Sequence, residues 1–143
     1  MARQRSSAVP LAWLCAGLIV YASLYPFGDW RVPGHSPLQF LTLAWPRYWT
    51  TFDLVANLTG YVPLGVLVFG AWVRAGQSAR RSALAAVLAG AALSFAMELL
   101  QNYLPRRVPS PIDRALNTAG AARGAAARSP AHLPGGLEPR PAP

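Results

Sequence analysis

Long stretches without a charged side chain constrain this sequence more than any other feature. Residues 6–28 carry no charge, residues 54–73 carry none, and residues 82–105 are interrupted only by Glu98. A helix needs about 20 predominantly apolar residues to cross the hydrocarbon core of a bilayer. Because lipid offers the backbone no hydrogen-bond partners, such stretches cross it as helices. The runs therefore predict an all-α fold, an integral membrane helical bundle with three clear transmembrane helices.

The composition argues against several classes of protein. Only 13% of the residues are charged, against about 25% in a typical soluble domain. The net charge of +8 comes from scattered arginines that form no basic helix face, so we expect no nucleic-acid binding. One cysteine and two histidines provide neither an internal disulfide nor a histidine-built metal site. We predict no metal and no cofactor.

The connecting segments predict how the helices are oriented. Residues 26–51 are rich in proline, glycine and aromatic residues, which suit the membrane–water interface, and we expect a loop with a short helix at residues 38–43. Residues 74–81 form a short arginine-rich connection, and such loops usually stay in the cytoplasm. We predict a multi-pass protein of the inner (plasma) membrane with a cytoplasmic N-terminus. A cleaved signal peptide is the alternative for the first run, because residues 20–22 resemble a cleavage site.

A polar pattern occurs twice along the chain. The motif Asp-x3-Asn-x2-Gly begins at Asp53 and again at Asp113. Helix positions i, i+4 and i+7 lie within about 60° of each other, so each copy places an acid, an amide and a glycine on one face. A carboxylate near a helix start can cap free N–H groups, and a glycine lets another backbone approach closely. Either these residues only cap and pack two helices, or they belong to a functional site.

The third run carries a further polar stripe, formed by Ser94, Glu98 and Gln101. An unpaired buried charge at Glu98 would be strongly destabilising, and we expect Arg106 or Arg107 to fold back onto it. Ionisable residues inside a membrane are functional candidates by default. A glutamate–arginine clamp that only fixes two helices is the alternative.

Pro63 lies inside the second run and cannot donate a hydrogen bond to the carbonyl of Thr59, so we expect a bend there. On the predicted topology the polar side chains gather near the outer leaflet. The candidate polar cluster consists of Asp53, Asn57, Glu98, Gln101, Arg106, Asp113 and Asn117. The expected helix-packing glycines are Gly60, Gly65, Gly120 and Gly124.

The order and spacing of these motifs resemble the VanZ-like family. The resemblance rests on Glu98-x2-Gln101, on an arginine near a loop serine in residues 105–110, and on the motif that runs from Asp113 to Gly124. It covers roughly residues 10–125. It implies a small helical membrane protein, typically with four or more spans, in a family whose name-giving member confers low-level teicoplanin resistance. It assigns no catalytic residue, so the catalytic residues stay unknown.

The end of the sequence departs from that family's pattern. Residues 115–127 are mostly alanine and glycine, interrupted by Arg123, and fall short of a span. The proline-, arginine- and glycine-rich residues 126–143 are typical of a disordered tail. We therefore expect a VanZ-like transmembrane domain over residues 1–125, with an incomplete fourth helix, and a tail over residues 126–143. Such an end would suit a truncated or frame-shifted domain.

Three functions fit these patterns, and all of them have membrane lipid as a partner. The first is a cell-envelope role, in which the polar cluster binds a glycopeptide, a lipid head group or a wall precursor. The second is a membrane enzyme for a lipid-linked substrate, with Glu98 or Asp113 as general acid or base and Arg106 holding a phosphate. The third is a helix-packing or assembly protein without a ligand. Whether the chain is an enzyme, and its oligomeric state, stay open.

Overall fold

The computed structural model describes residues 7–42 and 44–128, and this part of the chain consists of helices and loops without a strand. The all-α class is therefore confirmed for these residues. The elements are α1 (Ala8–Leu24), a 3₁₀ helix (Gln39–Thr42), α2 (Thr51–Gly60), α3 (Val62–Arg74), α4 (Ala79–Gln101) and α5 (Pro111–Ala127). The 3₁₀ helix is the short helix expected in the long loop, although residue 43 lies outside the described residues.

Two segments are long and apolar enough to cross a membrane, instead of the three expected. They are Thr51–Arg74, which joins α2 to α3, and Ala79–Gln101. Helix α1 is also apolar but has 17 residues, which rise about 26 Å against a hydrocarbon core of about 30 Å. It ends at Leu24 because Tyr25 takes extended backbone angles, as steric contact with the following proline favours.

The second run breaks near the proline, as expected. Helix α2 ends at Gly60, α3 begins at Val62, and Tyr61 lies between them. Pro63 falls in the first turn of α3, where its missing N–H removes no helical hydrogen bond. Tyr61 is buried, and its carbonyl accepts a hydrogen bond from the N–H of Gly65 at 3.1 Å. At this break between α2 and α3, the side chain of Tyr61 therefore lies in the bundle core.

Helix α5 packs as a member of the bundle, although it is not among the segments that are long and apolar enough to cross a membrane. It has 17 residues and packs against α2, α3 and α4. A Cβ atom added at Gly120 would overlap the carbonyl oxygen of Leu58, and one at Gly124 would overlap that of Val62. Neighbouring helices cover much of α5, so it needs small side chains more than apolar ones. The helix reaches Ala127, just past the expected domain boundary, and the expected tail from residue 129 onward lies outside the described residues.

The remaining glycines of the predicted set have different surroundings. A Cβ atom at Gly65 would overlap the carbonyl oxygen of Ala121 on α5, whereas no atom of another element lies within 4 Å of a Cβ atom at Gly60. Leu58, Val62 and Gly65 follow helical spacing and face α5, while a position two residues after Leu58 points to the opposite side. Gly60 therefore faces open space and is not a packing position.

Helix α1 presents a broad apolar surface to its surroundings. Trp13 is 74% exposed, and Leu14 and Leu18 are exposed beside it. A soluble monomer rarely displays such a patch, whereas lipid accommodates it without cost. The exposed face of α1 therefore fits contact with acyl chains.

Candidate ligand pocket

The functional candidates lie at one end of the bundle, which we call the pocket end. Helices α1 and α4 finish there, and α2 and α5 begin there. The amide of Gln101 at the end of α4 donates to the carbonyl of Ser23 on α1 at 3.1 Å. The amide of Asn57 on α2 donates to Oδ1 of Asp113 on α5 at 2.9 Å. These contacts link α4 to α1 and α2 to α5 at the pocket end.

The side chains behind the pocket form an inner group, made up of Ser94, Glu98, Arg114 and Asn117. Nε of Arg114 lies 3.0 Å from Oε2 of Glu98, and the two side chains are 22% and 4% exposed. The Arg114 guanidinium also lies over the ring of Phe40, 5.1 Å from the centroid. Glu98 is therefore paired with a cation that is itself held by an aromatic ring.

The expectation that Arg106 or Arg107 pairs with Glu98 is wrong. The Arg106 side chain is 76% exposed and lies 4.0 Å from Asp29. Nη2 of Arg107 donates to the carbonyls of Ala22 and Tyr25 at 3.2 and 3.0 Å, where the free carbonyls of α1 attract a cation. Arg114 takes the place beside Glu98 because α5 begins at residue 111 and carries it along α4. Pro111 at the first helical position was the signal for that start.

The inner group holds polar atoms that have no hydrogen-bond partner within the described ranges. Nδ2 of Asn117 donates to Oγ of Ser94 at 2.9 Å. Oδ1 of Asn117, Oε1 of Glu98 and the hydroxyl of Tyr61 are buried without a partner. Buried polar atoms are nearly always hydrogen-bonded, often to ordered water. The inner group thus links α4 to α5 and keeps capacity for further hydrogen bonds.

The two copies of the repeated motif play different parts. Asp53 forms a capping box with Thr50, whose hydroxyl accepts the Asp53 N–H at 3.1 Å and donates to Oδ2 at 2.6 Å. Asp113 makes no such cap, and its Oδ1 accepts from Asn57 instead. The N-cap of α5 is Ser110, which makes no side-chain capping hydrogen bond. The capping alternative therefore describes Asp53 alone.

A half-open pocket of about 730 Å³ lies between these groups. Its wall includes the pocket group, which consists of Asp53, Asn57, Gln101 and Asp113. Further wall residues, outside the predicted polar cluster, are Trp49, Phe52, Tyr61, Arg107 and Ser110. Gly60 also lines it, whereas the candidates Glu98, Arg106 and Asn117 do not.

The pocket combines hydrogen-bonding groups with aromatic walls. Its carboxylates accept hydrogen bonds from hydroxyl or ammonium groups, and its amides both donate and accept. Trp49 and Phe52 offer faces for apolar or sugar surfaces. Few polar groups set in a mainly apolar wall are typical of small-molecule sites. This arrangement suits binding and orientation of a polar group more than covalent chemistry.

Comparison with known proteins identifies a family. The family model described as VanZ/LLP1 matches residues 8–129. No curated protein and no solved structure is similar enough to match. The matched range includes all five helices and every residue of the inner and pocket groups.

Proposed function

We propose that this chain, which belongs to the VanZ/LLP1 family, binds the polar head group of a cell-envelope component in the pocket. The observation that carries the proposal is a pocket with carboxylates, amides and aromatic rings at one end of an apolar bundle. The apolar helices indicate a membrane protein. A ligand anchored in the same membrane would reach this pocket by lateral diffusion.

The dimensions favour a head group over a larger molecule. Pockets for small molecules typically measure about 300–1,000 Å³, and this one measures about 730 Å³. Its half-open mouth lets the rest of the ligand remain in lipid or solution. A lipid head group or the sugar of a lipid-linked wall precursor meets these requirements. A glycopeptide would enter with one substituent only, and we treat it as an outcome of the test below.

We further propose that the pocket faces the cell exterior and that the N-terminus is cytoplasmic, in the inner membrane. Trp45, Tyr48 and Trp49 are exposed in the loop at the pocket end, and such rings favour the interface. Exposed Arg80 and Arg81 begin α4 at the opposite end. Arginines in short loops favour the cytoplasmic side. The exposed aromatic rings and Arg80–Arg81 therefore favour this orientation, whereas Arg106 and Arg107 in the short α4–α5 connection oppose it.

The alternatives draw unequal support from the geometry. The inner group makes the contacts expected of a helix clamp, which favours a packing role for Glu98 and Asn117. The enzyme alternative needs an acid or base beside a phosphate-holding Arg106. Glu98 is buried against Arg114, and Arg106 is exposed beside Asp29. The two groups that the mechanism requires are thus engaged in separate contacts.

Gly60 allows a direct test of the pocket. A leucine there adds volume to the pocket wall without meeting another atom of the bundle within 4 Å of its Cβ. Gly17 on α1 has equally open surroundings and lies outside the pocket, so Gly17→Leu is the matched control. Both variants and the native chain are reconstituted in nanodiscs of phosphatidylethanolamine and phosphatidylglycerol. A lipid-linked wall precursor or teicoplanin is then added as the probe.

Native mass spectrometry of the released complexes measures bound lipid, precursor or glycopeptide. We expect the native chain and Gly17→Leu to retain one of these adducts, and Gly60→Leu to lose it. The retained adduct identifies which envelope component binds. Equal retention by both variants, or no retained adduct in any sample, would overturn the proposal.

A further inference from the structure

A second cavity, of about 390 Å³, lies beside the pocket and is walled by the two loops of the pocket end. Arg31 and His35 come from the loop after α1, while Asn102 and Arg107 come from the connection between α4 and α5. Its wall contains no aspartate or glutamate. Arg107 lines both cavities, so the two spaces adjoin there. We call this second space the cationic cavity.

A hydrogen bond holds the backbone of Arg31 in place, while its side chain is available to bind a ligand. Its N–H donates to the carbonyl of Tyr103 at 2.9 Å, which ties the first loop to the α4–α5 connection. Its guanidinium has no hydrogen bond or ion pair to any residue in 7–42 or 44–128. The nearby acid Asp29 lies beside Arg106, outside the cavity wall. The positive charge of Arg31 is therefore not neutralised by a carboxylate of the described chain.

Asn102 stiffens the floor of the same cavity. Its Nδ2 donates to the carbonyl of Pro37 at 3.2 Å and to that of Glu98 at 2.9 Å. Nη2 of Arg107 is fixed on the carbonyls that end α1, which leaves its other nitrogens free to donate. The cavity thus presents two arginines on anchored backbone segments, with donors available and no acid in the cavity wall.

We propose that the cationic cavity binds the phosphate of a phosphate or diphosphate ester. The guanidinium fork matches phosphate oxygens in pairs, which makes arginine the preferred residue for this group. The neighbouring pocket is lined by Asp53 and Asp113, which repel a phosphate. A ligand with a phosphate next to hydroxyl or ammonium groups would place its anion on Arg31 and Arg107 and its other groups on the carboxylates.

This division names the chemical class of the envelope component and, to that extent, rests on the proposed function. Phosphate binding itself does not, because Gly60 does not line the cationic cavity. Gly60→Leu therefore serves as a cross-check. Head-group binding that survives in Gly60→Leu, alongside intact Arg31-dependent phosphate binding, would count against the first proposal alone.

The test compares arginines of equal charge at the same end of the bundle. Inorganic diphosphate is titrated into the purified full chain in dodecyl maltoside micelles and followed by calorimetry. Arg31→Gln removes a cavity donor, Arg31→Lys keeps the charge without the fork, and Arg106→Gln removes an exposed arginine outside the wall. A charge-assisted hydrogen bond is worth about 1.5–3 kcal/mol, so we expect Arg31→Gln to weaken binding about tenfold or more.

We expect Arg31→Lys to lie between Arg31→Gln and the native chain, and Arg106→Gln to change the Kd less than about twofold, the range of a screened surface charge. Equal weakening by Arg31→Gln and Arg106→Gln would overturn the proposal, since it would reveal only diffuse attraction. A native chain that binds no diphosphate would overturn it as well. Circular dichroism of each variant checks that the helices are intact.

A second arm distinguishes the sources of the phosphate. Nanodiscs of phosphatidylcholine with or without phosphatidic acid are analysed by native mass spectrometry, and diphosphate is added as competitor. Arg31-dependent retention of phosphatidic acid that diphosphate displaces assigns the cavity to a lipid phosphate. Arg31-dependent diphosphate binding without lipid retention assigns it to a soluble phosphate ester.

Discussion

The contact between α4 and α5 can be tested by moving one methyl group across it. A Cβ atom added at Gly90 would overlap the Cβ of Ala121, and its next neighbour, Cδ1 of Tyr61, is 3.8 Å away. Ala121 is fully buried. Gly90→Ala combined with Ala121→Gly therefore transfers the methyl from one helix to the other at nearly the same point in space. The two changes should compensate if the helices cross where the structure has them.

The magnitudes follow from packing and helix propensity. Gly90→Ala alone overpacks the crossing by about 1–3 kcal/mol and regains about 1 kcal/mol of helix propensity. Ala121→Gly alone loses about 1 kcal/mol of propensity and about 1 kcal/mol for the missing methyl. In the double variant the propensity changes cancel and the methyl volume is restored. We expect its stability to lie within about 0.5 kcal/mol of the native chain, against an additive loss of about 2–4 kcal/mol.

The free energy of unfolding is measured by titrating sodium dodecyl sulfate into maltoside micelles and following helicity by circular dichroism. Gly70→Ala is the control, because no atom of another element lies within 4 Å of its Cβ. When Gly70→Ala is combined with Ala121→Gly, the changes in the free energy of unfolding should simply add. A Gly90–Ala121 double variant that is as unstable as the sum of its singles would refute the crossing geometry.

Other predictions concern the buried ion pair and the orientation. Glu98→Gln leaves the largely buried Arg114 without its carboxylate, so we expect the free energy of unfolding to fall by about 3 kcal/mol in the same titration. The double variant Glu98→Leu with Arg114→Met should recover most of this loss. A loss below about 1 kcal/mol would contradict the prediction, because it is the range of exposed ion pairs. With Cys15 replaced by serine, an impermeant maleimide should label Ser36→Cys in intact cells and Ala75→Cys only after permeabilisation. The reverse labelling would contradict the proposed orientation.

Hydrophobic patterning predicted much of this fold, because it reports directly on lipid exposure. The second uncharged run forms α2 and α3, and the third forms α4. Pro63 marked the break between α2 and α3. Hydrophobic patterning underestimated the length of α5, since residues covered by other helices need not be apolar. It overestimated α1, because it counted apolar residues beyond Tyr25 that Pro26 excludes from the helix. Composition reports the solvent around a segment, whereas helix ends depend on local backbone sterics.

The candidate site was only partly readable from the sequence. Helical spacing placed Asp53 and Asn57 on one face of α2, and both line the pocket, because regular geometry relates positions within one helix. The ion pair of Glu98 could not be assigned in the same way. Its partner depends on where α5 starts and on which side of α4 it packs, and both are tertiary facts. For the same reason the sequence did not indicate a role for loop residues such as Arg31, because the sequence does not show which loops lie side by side.

The packing of α5 also determines on which side of the bundle residues 8 and 127 lie. The segments α1, α2–α3, α4 and α5 alternate in direction, so Ala8 and Ala127 lie at the same end of the described bundle, beside the α3–α4 connection. A chain that crossed the membrane only three times, as the three uncharged runs predict, would place the two positions on opposite sides. A reporter enzyme joined after Arg128 should consequently share its compartment with one inserted next to Gly76.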